Sequence, residues 1–150
     1  MKNFYILLAL LFLISCSSQK NNTKVTTIES TLIAKGNLHG NGEEGIRKKH
    51  MIISDVTTWT NLIAQMNAVN TTSNTFTETD IDFSTHRVIA VFDEVRTSGG
   101  YHLDIQLTAT TNRIVVTVTN IAPSGNVSMI MTQPFYIVKI DNTQLPIVFE

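Results

Sequence analysis

The chain has 150 residues, with 11 basic and 12 acidic side chains and a formal net charge of −1. That length suits one domain, and the near-balanced charge excludes a general nucleic-acid binder, which needs a basic face. A single cysteine cannot close an internal disulfide, so a hydrophobic core has to hold the fold.

At the front, Lys2 is followed by an apolar run from Phe4 to Ile14. Eleven residues are too few to span a bilayer, which takes about 20. A positive start, a short apolar stretch and small residues describe a secretory signal peptide. Leu13-Ile14-Ser15-Cys16 resembles the lipobox of bacterial lipoproteins: an aliphatic residue, a tolerant position, a small residue and the cysteine. The resemblance implies cleavage before Cys16 and a diacylglycerol on its thiol, hence a membrane partner through a lipid anchor. Residues 1–15 are then a lipoprotein signal peptide, 16–24 a polar tether and 25–150 a single domain. The expected location is the bacterial cell envelope; Ser rather than Asp at position 17 leaves inner and outer membrane both open. An ordinary signal peptide cut nearby would instead leave a free thiol, an oddity in an exported chain.

Beyond the tether, abundant Thr, Val and Ile favour sheet over helix. Val25 to Leu38 reads as one strand or two broken ones, Gly40-Asn41-Gly42 as a turn, and Ile46 to Ile53 as the partner strand. Within it, Arg47-Lys48-Lys49-His50 reads as a solvated edge. Ser54 or Asp55 can cap the one clear helix. Val56, Trp59, Leu62, Ile63 and Met66 fall on one helical face, with Trp59 as core anchor. Asn70 to Thr79 is polar apart from Phe76 and reads as a long disordered surface loop.

The rest is sheet. Arg87 to Phe92 is apolar on both faces, as a central strand requires. Tyr101, Leu103, Ile105 and Leu107 alternate with polar residues, and Ile114, Val116 and Val118 repeat the pattern after a turn at Thr110-Thr111-Asn112. Pro123-Ser124-Gly125-Asn126 is a break. Val127 to Met131 and Phe135 to Ile140 read as strands divided by Gln133-Pro134, and Pro146 to Phe149 as an edge. Short turns between successive strands argue for antiparallel pairing. The expected class is mainly β (α+β): an antiparallel twisted sheet or small β-sandwich with one packed helix.

The chemistry-bearing residues do not converge. His39, His50, His86 and His102 lack metal-ligand spacing, no serine sits in a nucleophile elbow, and Ser98-Gly99-Gly100 lacks the lysine and helix of a phosphate loop. His102 and Asp104, two apart on a strand, share a face and are the best local pair for a metal or an oriented imidazole. No catalytic residue, cofactor or metal site is identified. Gly99-Gly100 suits a turn with positive φ and admits close backbone approach.

From Asp82 to Ile140 the chain resembles the C-terminal domain of the PrcB family, the protease-complex subunit family. Asp82-Phe83, Val88-Ile89-Ala90-Val91, Gly99-Gly100-Tyr101 and Pro134-Phe135-Tyr136-Ile137-Val138-Lys139 carry that likeness by their order. Ser98 replaces the family's usual Thr, and Asp93-Glu94 stands where a glycine is expected. The resemblance implies a non-catalytic lipoprotein that binds and stabilises an exported protease complex, with Gly99, Gly100, Tyr101, Pro134 and Phe135 as candidate interaction residues. Two other readings stand beside it. A Thr97–Tyr101 loop faintly resembles that of chagasin-type cysteine-protease inhibitors. An envelope enzyme would centre on His102 and Asp104.

Overall fold

The computed structural model describes residues 25–150. The expected signal peptide, Cys16 and the polar tether lie outside the described residues. The elements in chain order are β1 (Thr26–Thr27), β2 (Thr31–Leu38), β3 (Lys49–Ile53), α1 (Val56–Met66), a short 3-10 turn (Thr72–Thr75), β4 (His86–Phe92), β5 (His102–Ala109), β6 (Ile114–Ile121), β7 (Gln133–Asp141) and β8 (Ile147–Phe149). No helix among the described residues is long and apolar enough to cross a membrane.

A strand that is apolar on both faces needs a layer on each side, and that requirement organises the fold. Strands β4 and β7 lie side by side in the middle of a sheet ordered β2-β7-β4-β3. One face of the pair, through Val88, Ala90, Phe92, Phe135 and Ile137, packs against Trp59, Leu62 and Met66 of α1. The other face, through Ile89, Val91, Val138 and Ile140, meets Leu103, Leu107, Ile114 and Val116 of a second sheet, ordered β1-β5-β6-β8. The result is a three-layer molecule, helix on sheet on sheet. The mainly β class with one packed helix stands.

Val25 to Leu38 takes the second of its two readings, two strands, and these lie in different sheets. Pairing differs from the sequence reading in two places. The segment before the helix does not pair with β2: β3 pairs with β4, β2 pairs with β7, and the two lie on opposite edges of one sheet. Gly40-Asn41-Gly42 does turn, with Asn41 at φ 56° and Gly42 at φ 88°. That turn opens a loop across the sheet end rather than a hairpin, because doubly apolar β7 has to occupy the interior position. Finally, β8 runs parallel to β6, the one parallel pair among the strands described.

Val127 to Met131 is not a strand. Strand β7 instead begins at Gln133 and includes Pro134, whose carbonyl accepts the Asp93 N–H at 2.9 Å. A proline is tolerated near a strand start, where its missing N–H breaks no ladder.

Asp55 caps α1, its Oδ1 accepting the Thr58 N–H at 2.8 Å. Trp59, Leu62 and Met66 are buried, but Val56, the first residue of the helix, is 61% exposed. The 70–79 segment is not the free loop expected. Phe76 stacks on Trp59 at 6.0 Å, the Trp59 Nε1–H donates to the Thr79 carbonyl at 2.7 Å, and the Thr77 N–H donates to the Ile33 carbonyl at 2.9 Å. A buried indole N–H needs an acceptor, and this segment supplies it.

Truncation on either face of the central pair should therefore be severe. Ile89→Ala and Ile137→Ala should each cost about 2–5 kcal/mol, whereas Val56→Ala should stay within about 0.5 kcal/mol. Urea unfolding followed by Trp59 fluorescence checks both.

Candidate functional site

Antiparallel pairing brings three loops to one pole. Leu38 lies opposite Gln133 and Lys49 opposite Phe92, so loops 39–48, 93–101 and 122–132 meet there. The described chain begins at the other pole, where Thr26 pairs with Ala109 beside the Thr110–Arg113 turn.

Gln133, 1% exposed, knits the loops together. Its Nε2 donates to the Ile46 carbonyl and to the Asp93 carbonyl, each at 2.8 Å. Asp93 follows β4 and is itself covered. The Arg96 Nε donates to its Oδ2 at 2.9 Å and Nη2 at 2.6 Å, while Lys48 Nζ stands 3.3 Å from Oδ1. Arg96 also reaches Glu94 Oε1 at 2.9 Å and lies over the Tyr101 ring, 4.8 Å from its centroid. Burial by itself pushes the Asp93 carboxyl up. Hydrogen bonds from Arg96, the Glu94 backbone and Lys48 outweigh it, and the group titrates below its ordinary value. Asp93 sits at the molecule's end under two exposed or half-exposed cations, so solvent still screens this pair in part.

Gly99 and Gly100 dock loop 93–101 onto loop 122–132. The Gly99 N–H donates to the Ser128 carbonyl at 3.0 Å, and a Cβ on Gly99 would lie 2.5 Å from Ser128 Oγ. Gly100 has φ +87°, and a Cβ there would lie 2.7 Å from Pro123 Cβ. A second tie follows: Arg96 and Thr132 exchange backbone hydrogen bonds at 2.7 and 3.0 Å. These ties, at Ser128 and at Thr132, bracket Met129, Ile130 and Met131. Held out between them, the three are 88%, 57% and 37% exposed. Contiguous exposed apolar residues on a braced loop are the chemistry of a contact surface.

The sequence-derived candidates fall in different places. Gly99 is buried, Gly100 exposed and Tyr101 half-buried. Pro134 and Phe135 are buried, with Phe135 stacked on Phe92 at 6.2 Å. The five therefore do not form one open patch; the last two are core. The Thr97–Tyr101 loop does not stand free, since Gly99 is pinned to Ser128. His102 and Asp104 are both exposed, as their alternation implies, and His102 Nδ1 lies 3.4 Å from the Gly100 carbonyl. Among the described residues no group of three His, Cys, Asp or Glu side chains gathers to hold a metal.

Sequence reasoning missed the Met129–Ile130–Met131 tip, whose apolar residues it assigned to a strand. It also missed the Asp93, Arg96 and Gln133 brace. The one available signal was spacing: Asp93 and Arg96 are three apart in a segment where the family pattern expects a glycine.

The lowered Asp93 pKa fixes a pH dependence. A carboxyl depressed in the folded state adds stability above its unfolded value and loses it as pH falls. The stability gap between wild type and Asp93→Asn should hold steady above about pH 5 and close as pH falls through about 3.9 and below. Urea midpoints measured across that range check it.

Residues 87–141, from β4 to the end of β7, match the family model described as PrcB C-terminal. The sequence resemblance and this match fall on the same segment. No curated protein and no solved structure gave a match to the chain.

Proposed function

From the premise that segment 87–141 belongs to the PrcB C-terminal family, we propose that this chain is a non-catalytic docking subunit of an exported protease complex, tethered to the cell envelope by lipid on Cys16. The observation that carries the docking role is the clamped apolar tip. Met129 and Ile130 are 88% and 57% exposed, and both loops that build the tip lie inside the matched segment. Lys48 and Glu94, with half-exposed side chains, stand at the same pole as the tip, and charged residues beside an apolar patch suit a protein contact.

Placement supports the same reading. The tip and residue 25 lie at opposite ends of β5, whose eight residues span roughly 26 Å. The tip thus stands at the pole of the described domain away from residue 25, which suits contact with a protein partner.

The test is capture by the tagged full chain from detergent-solubilised envelope. Wild type should bring down a protease-containing assembly. The Met129→Asp, Ile130→Asp double variant should bind it about tenfold or more weakly, the effect of losing one contact of about 1.4 kcal/mol or more. In the same cells labelled palmitate should enter wild type and not Cys16→Ser. A wild-type chain that comes down alone would sink the docking role, and unlabelled wild type would sink the anchor.

A further inference from the structure

We propose that Met129 is an oxidation site, with Met131 second, at which a peroxide-class oxidant converts the tip from apolar to polar. The described residues hold four methionines in unequal surroundings. Met66, the last residue of α1, is fully buried against the sheet, and Met51 is partly buried against the same core. Met129 is 88% exposed and Met131 37%. The backbone ties at Ser128 and Thr132 leave only three residues between them, and the Met129 side chain stands in water.

The step balances without a cofactor. A thioether lone pair attacks one peroxide oxygen; the O–O bond breaks as an S–O bond forms. The sulfur loses two electrons; the leaving hydroxide takes the proton of the transferred oxygen and departs as water (an alcohol, for an organic hydroperoxide). The product sulfoxide is polar and chiral, and methionine sulfoxide reductases reverse it. A flexible apolar side chain suited to an adaptable contact becomes one that must be desolvated to bind. The consequence for partner docking rests on the function proposed above; the selectivity of oxidation does not.

The experiment treats the detergent-solubilised full chain with hydrogen peroxide and follows oxygen incorporation by peptide mass mapping. Met129 should be modified first, roughly tenfold or more ahead of Met66, because reactivity follows exposure. In denaturant the difference should collapse. Met66 or Met51 reacting as fast as Met129 in the folded chain would overturn the site, as would an order unchanged by unfolding. The docking consequence is read separately, on the captured assembly. Peroxide should release it from wild type and leave it on the Met129→Leu, Met131→Leu variant, whose tip stays apolar. Equal release from both would overturn the switch. Failure of untreated wild type to capture anything would count against the docking role while leaving the order of oxidation to stand or fall by itself.

Discussion

Two adjacent strands that must be covered on both faces set the terms for the rest of the molecule. Every side chain of β4 from Val88 to Phe92 is buried, and β7 beside it is nearly as apolar. One layer cannot bury such a pair, so α1 covers one side and the second sheet the other. The exceptions on β7 show the cost of the position. Lys139 is half-buried and lies 2.7 Å from Glu78 Oε1, a carboxylate brought by the 70–79 segment. A cation so placed needs a partner, which gives that segment a second reason to lie where it does, beyond accepting the Trp59 N–H.

The same two strands hold up the pole. Asp93 follows Phe92, and Gln133 stands two residues before Phe135, so the polar brace begins where the apolar ladder stops. The brace inverts the usual distribution of polarity: Asp93 and Gln133 are covered while Met129 is in water. Hydrogen bonds are directional, and the two donors of Gln133 fix Ile46 and Asp93 against the start of β7. Packed methyl groups would let those loops slide. A covered ion pair is weak evidence for stability, but here its geometry fixes where the tip stands.

Much of the fold was legible because burial writes a period into the chain. The β5 and β6 alternations, the doubly apolar β4 and the Asp55-capped helix with Trp59 follow from local pattern. Pairing was less legible, because it depends on competition between distant segments. Nothing near Ile46 to Ile53 says that β7, some 80 residues on, takes the place beside β2. The tip failed for the converse reason. Val127 to Met131 has strand-like composition, and composition cannot register that Gly99 and Thr132 pin its ends. The Gly-Gly pair was correctly read as permitting close approach, but what approaches it, Ser128 and Pro123, is a tertiary fact. Phe135 stood as a candidate interaction residue on the strength of a motif, although its alternation with Ile137 already put it on a core face.

The insertion of β7 between β2 and β4 also bears on how the chain is made. During synthesis Thr31–Leu38 has no neighbour in its sheet until Gln133–Asp141 has left the ribosome. Contacts separated by a hundred residues form late and carry a large loop-closure cost. Strand β2 thus waits without its sheet neighbour while some hundred residues are made. Its edge of the sheet is sealed only once β7 slots in beside β4.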